Sequence, residues 1–119
     1  MTENQELLDH IIAAIREKKG KAIRLVDLSN LDSRICDFFL ICEGGSNTQI
    51  LAISESIHDY VRDHIHVKPY AVEGTRNALW VAMDYGNVMV HIFDRATRSY
   101  YDLDHLWSDA VLTDYPDEI

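Results

Sequence analysis

The stretch Leu79-Trp80-Val81-Ala82-Met83-Asp84-Tyr85-Gly86-Asn87-Val88-Met89-Val90-His91-Ile92-Phe93-Asp94 decides the fold. Residues 79–83 and 88–94 read as two strands, and the Gly-Asn pair between them suits the positive φ angles of a tight antiparallel hairpin. An even loop, closed by Tyr85-Gly86 or by Gly86-Asn87, puts Trp80 and Ala82 on one face with Met89, His91 and Phe93. The opposite face carries Val81, Met83, Val88, Val90 and Ile92, an aliphatic surface for amphipathic helices to cover. The first face mixes indole, imidazole, thioether and phenyl groups. Periodicity alone leaves it open between an ordinary core face under a helix and a contact patch for a partner.

Upstream of the hairpin, Leu7, Leu8, Ile11, Ile12 and Ile15 recur at helical spacing and predict a helix over 3–18 that Gly20 ends. Residues 22–28 alternate imperfectly as a strand and run into the polar loop 29–33. Asp37-Phe38-Phe39-Leu40-Ile41-Cys42 is an apolar run with the profile of a strand buried on both faces. After Gly44-Gly45, Ser46 is placed to cap a helix carrying Ile50, Ile53, Ile57, Tyr60, Val61 and His64 on one side, so strand, turn and helix form half of a βαβ unit. Pro69 makes residues 68–72 a short strand, either at an edge or entered late. Downstream, Leu103, Leu106, Trp107 and Ala110 predict a final helix over 102–111. These elements describe one α/β domain over residues 1–110, a mixed sheet of about five strands with helices, followed by a frayed acidic tail over 111–119.

At 119 residues the chain fits a single core with a radius of gyration of about 13 to 14 Å. No apolar run approaches the length of a bilayer span, and residues 1–20 lack the plan of a secretory signal. Only two cysteines, Cys36 and Cys42, are present, too few for a disulfide scaffold, and the expected compartment is the cytoplasm. A formal charge of −9 opposes a phosphate backbone as the main contact. The same charge suits encounter with a basic protein partner, of which ribosomal proteins are one class, although composition alone points first to acids that keep a small protein in solution.

The residues offer little for chemistry. Gly44-Gly45-Ser46 between a strand and a helix could cradle a phosphate, but nucleotidyl transfer needs paired carboxylates to hold metal ions, and residues 68–72 and the surroundings of Asp84 supply no such pair. The histidines at 10, 58, 64, 66, 91 and 105 show neither an HExxH helix nor zinc-ligand spacing. Neither cysteine sits in an activating motif, and Gly44-Gly45-Ser46-Asn47-Thr48 fails as a nucleophile elbow. The expectation is a protein with no catalytic residues, no metal and no cofactor.

Four ordered motifs carry a resemblance. They are Cys36-Asp37-Phe38-Phe39-Leu40-Ile41 with Gly44-x-Ser46-x-x-Gln49, then Glu73-Gly74, then residues 80–93 of the hairpin, and last Arg98-x-Tyr100-Tyr101-x-Leu103-Asp104-x-Leu106-Trp107. Together they resemble the ribosomal silencing factor family, RsfS, also called Iojap-like, over roughly residues 7–110. The resemblance implies a fold related to nucleotidyltransferases without their activity. It further implies binding to the large ribosomal subunit through ribosomal protein L-fourteen, which blocks joining of the small subunit and represses translation; organellar relatives assist large-subunit assembly. Carried over position by position, the partner-binding residues would be Trp80, Asp84, Tyr85, Gly86 and His91, with Met89 and Phe93 beside them. Asp37, Ser46, Gln49 and Glu73 also match the pattern, as contacts or as turn supports. Glu43, Asn87 and Asp104 depart from it, Glu43 replacing a small hydroxyl residue. A homodimer is left open, and the alternatives are a large-subunit assembly factor and a small nucleotidyltransferase-like enzyme.

Overall fold

The structure, a computed structural model, describes residues 2–32 and 36–117; the end of the polar loop at position 33 and the last two positions of the tail lie outside the described residues. Leu7, Leu8, Ile11, Ile12 and Ile15 are all buried along one side of α1 (Thr2–Glu17). The chain leaves this helix through Lys19, which takes the left-handed conformation (φ 61°), while the Gly20 N–H bonds the Ile15 carbonyl at 3.0 Å. α2 (Asn47–Ile65) begins at Ser46, whose Oγ accepts from the Gln49 N–H at 3.0 Å. Ser46→Ala removes this cap and is expected to lower stability by about 1 kcal/mol. An unchanged urea midpoint for that variant would show the cap to be dispensable.

The strands are β1 (Lys21–Asp27), β2 (Phe38–Glu43), β3 (Ala71–Glu73), β4 (Trp80–Asp84), β5 (Val88–Phe93) and β6 (Val111–Tyr115), joined in one six-stranded sheet of order β3-β4-β5-β2-β1-β6. Only the central pair β2–β5 is parallel; the other neighbours are antiparallel. The parallel partner of β2 is thus reached after α2 has packed on one face and β3 and β4 have been laid down in the sheet beyond β5. In β2, Phe39, Leu40, Ile41 and Cys42 are all buried, as an apolar run covered from both sides requires. Burial pushes the Cys42 thiol up to about 12 and also raises Cys36, so both are inert core residues.

The β4–β5 hairpin has the even register: Trp80 pairs with Phe93, Ala82 with His91 and Asp84 with Met89. Its loop is Gly86-Asn87, closed by the Tyr85 N–H on the Val88 carbonyl at 2.9 Å, and only Gly86 takes a positive φ (87°). The aliphatic face of the hairpin joins α1 and α2 in the larger core, with Val81, Met83, Val88, Val90 and Ile92 fully buried. A second core, built from Val26, Leu28, Cys36, Phe39, Ile41 and Phe93, fills the other side of the sheet.

Three expectations need correction. The sheet has six strands rather than about five. The extra strand is residues 111–115 of the expected frayed tail, drawn onto β1 by a continuous antiparallel register from Ile23↔Tyr115 to Asp27↔Val111. The expected helix over 102–111 does not form: α3 (Arg95–Tyr101) ends at Asp102, left-handed at φ 50°, and one 3-10 turn (Leu103–His105) follows. Leu103, Trp107 and Ala110 nonetheless pack on the second core, whereas Leu106 stays exposed.

Candidate functional site

The mixed face of the hairpin is partly roofed by residues 95–110, which lie over β1, β2 and the base of β5. An ionic cluster pins this segment down. Arg98 donates through Nη2 and Nη1 to Asp104 Oδ2 (2.8 Å) and Glu43 Oε2 (3.1 Å), and Arg24 donates to the same Asp104 oxygen at 3.2 Å and to Asp114 Oδ1 at 2.6 Å. Arg98 Nη1 also reaches the Ala22 carbonyl at 2.7 Å, at the point where the β1–β2 register slips. Burial of Asp104 works to raise its pKa, but the hydrogen bonds and charges of the two arginines outweigh it, and the carboxyl stays below the usual carboxylate range. Glu43 thereby has a structural partner in this chain.

Beneath that segment the site residues divide. Phe93 is fully buried, His91 is 4% exposed and Tyr85 is 6% exposed, so none of the three presents a contact surface. Tyr85 lies on the other side of the sheet altogether, in the core with α1 and α2, where burial pushes its phenol up to about 12. Tyr85 and Phe93 belong to the two cores, and His91 lies between the Phe39 ring and the Trp80 indole. Trp80, Asp84 and Met89 are half-buried, and Gly86 is exposed. Glu73 and Ala71 of β3 pair with Ala82 and Asp84, so they extend the same face to the sheet edge, both exposed. The reachable surface is an indole and a thioether with two carboxylates, Asp84 and Glu73, beside them.

Local geometry holds this surface in place. Asp84 Oδ1 accepts from the Gly86 N–H at 2.8 Å and tightens the turn. Gly74, at φ 91°, brings its backbone so close to Trp80 that a Cβ would lie 2.0 Å from the Trp80 carbonyl oxygen, which leaves no other residue type room at this position. The indole stacks on Phe93 with ring centroids 5.0 Å apart and meets the Tyr101 ring at 4.8 Å. Its Nε1–H donates to His91 Nδ1 at 3.0 Å. Tyr101 and its exposed neighbour Tyr100, their ring centroids 5.0 Å apart, extend the apolar patch, and the reading of the hairpin alone missed them. The adjacent tyrosines of the closing motif were the available signal, hidden by the expectation of a helix beginning at 102.

Ser46 and Gln49 support turns. The Gln49 side chain accepts from the Gly45 N–H at 2.6 Å and donates to the Lys18 and Lys19 carbonyls, tying the end of α1 to the start of α2. The Gly44 N–H bonds the Phe93 carbonyl at 2.9 Å. The backbone donors that a phosphate would need at Gly44-Gly45 and at the Gln49 N–H are therefore already engaged.

Comparison with known proteins gives a consistent picture. The family described as "Ribosomal silencing factor during starvation" (RsfS) matches residues 1–119. A Bacillus subtilis protein named "Ribosomal silencing factor RsfS" is 40% identical over 111 residues, covering 92% of each chain. A crystal structure of a Chromobacterium violaceum protein superposes with a TM-score of 0.81 at 34% identity, covering 87% of this chain and 85% of that one. A mouse protein named "Mitochondrial assembly of ribosomal large subunit protein 1" is 26% identical over 106 residues, 85% of this chain and 45% of that protein.

Proposed function

This chain belongs to the RsfS family of ribosomal silencing factors, and from that premise we propose that it represses translation in the cytoplasm by docking on the large ribosomal subunit. The docking site is ribosomal protein L-fourteen, and the bound factor excludes the small subunit sterically. The observation that carries this reading is the half-open surface of Trp80 and Met89 beside Asp84 and Glu73 in a chain of net charge −9. An aromatic anchor next to carboxylates suits a basic protein surface, since apolar burial supplies affinity while charge steers encounter. Silencing of this kind needs no bond-making step; occupancy alone blocks joining.

The test is co-sedimentation of the purified protein with isolated large subunits, followed by addition of small subunits. Binding without any block of reassociation would overturn the steric mechanism. Trp80→Ala is expected to weaken large-subunit binding by about 2 kcal/mol, roughly thirtyfold in Kd. Native affinity in a folded variant would remove Trp80 from the interface.

The name of the mouse relative favours a second reading, in which the same surface serves large-subunit assembly. Comparing affinity for precursor and mature large subunits separates the two: a silencing factor holds the mature particle, and an assembly factor prefers the precursor.

A further inference from the structure

We infer that His91 is a positioning residue for the docking surface, orienting the Trp80 indole from beneath through the hydrogen bond between indole Nε1–H and imidazole Nδ1. This rests on Trp80 being the anchor proposed above. The bond is 3.0 Å long and joins residues on neighbouring strands, and His91 is 4% exposed while Trp80 is half-open. An indole N–H can only donate, so Nδ1 must be bare and the imidazole proton must sit on Nε2. Burial keeps the ring neutral, pushing its pKa down to about 4, so the acceptor persists through neutral and mildly acidic solution.

Packing alone gives no reason for an imidazole here. Among the described residues Nε2 is buried without a hydrogen-bond partner, a cost that a phenylalanine of similar shape would avoid. What the imidazole supplies that an apolar ring cannot is direction. Phe93 and Tyr101 offer the indole ring surfaces at 5.0 and 4.8 Å, and such contacts tolerate rotation of the ring in its own plane. A hydrogen bond from Nε1 selects one orientation. His91 is itself held by Phe39, edge-on at 4.7 Å, so the acceptor stands on the rigid centre of the sheet. An anchor already fixed in its bound orientation loses less side-chain freedom when the partner arrives.

The test compares three variants. His91→Phe fills the space without an acceptor. His91→Asn places an amide oxygen near the position of Nδ1, and His91→Gln reaches toward Nε2 instead. Folding is followed by thermal unfolding, the bond by the indole N–H resonance of Trp80 with Trp107 as internal reference, and function by affinity for isolated large subunits. His91→Phe is expected to move the Trp80 resonance toward that of a free indole and weaken binding roughly three- to tenfold. His91→Asn is expected to restore both, and His91→Gln neither. In a Trp80→Ala background, His91→Phe should change affinity no further.

Native affinity in a folded His91→Phe protein would overturn the inference. If that variant does not fold, equal affinity of the Asn and Gln variants would overturn it instead. Native affinity for Trp80→Ala alone, with the indole–imidazole bond intact in the native spectrum, would reject the docking surface itself rather than the role of His91 beneath it.

Discussion

Arg98→Met is expected to destabilise the protein by about 3 kcal/mol, the lower end of the loss when one partner leaves a buried ion pair. Methionine keeps the stem that packs on the sheet and deletes only the guanidinium. The Arg98 side chain is 11% exposed, and its guanidinium serves Asp104, whose side chain is 6% exposed, together with Glu43 and the Ala22 carbonyl. Without it the Asp104 carboxylate stays buried with Arg24 alone, and Glu43 loses the cation it faces. The loss sits at the low end because Arg24 remains and Glu43 can turn to solvent. The segment 95–110 should loosen first, uncovering Phe39 and Phe93. The expected observations are a lower urea midpoint and earlier hydrogen exchange in 95–110 than in α1 and α2. A midpoint equal to that of the native protein would mean that the cluster contributes no net stability and that apolar packing alone holds the segment.

Acid should destabilise the fold through His91 by about 3 kcal/mol between pH 7 and pH 4. Burial lowers its pKa from 6.5 to about 4. Through that window the unfolded chain binds a proton that the folded chain refuses, so unfolding gains free energy as pH falls. The contribution to stability is intact above pH 6.5, declines below it and is lost near pH 4. Protonation would also turn Nδ1 from acceptor to donor and break the bond from Trp80. Carboxylates titrate in the same range, so the measurement is a difference: stability against pH for the native protein minus that for His91→Phe. A difference curve flat from pH 7 to pH 4 would show that His91 titrates normally and is not closed off from water.

Much of the site was legible from the residues because strand alternation has a strict period of two and a two-residue loop preserves its parity. Trp80, Ala82, Met89, His91 and Phe93 share a face for that reason. The same alternation, carried two residues further from Met83, would have sent Tyr85 to the helix side, where the structure has it. β2 was legible as a buried central strand from its unbroken apolar run. The C-terminal region was not. Leu103, Leu106, Trp107 and Ala110 have helical spacing, yet the chain turns at Asp102 in a left-handed conformation, and Arg98 and Arg24 draw Asp104 and Asp114 in from distant positions. Those pairings join groups up to 90 residues apart, and no local pattern announces them.

The amino-acid order by itself determined the helices under the aliphatic face, the hairpin with its register, and the acidic charge of the chain, since propensity, periodicity and composition are local or additive properties. Which part of the mixed face remains open was decided only by the tertiary structure. Exposure depends on where residues 95–110 come to rest, and that is set by ion pairs and ring contacts between segments that meet only once the sheet has formed.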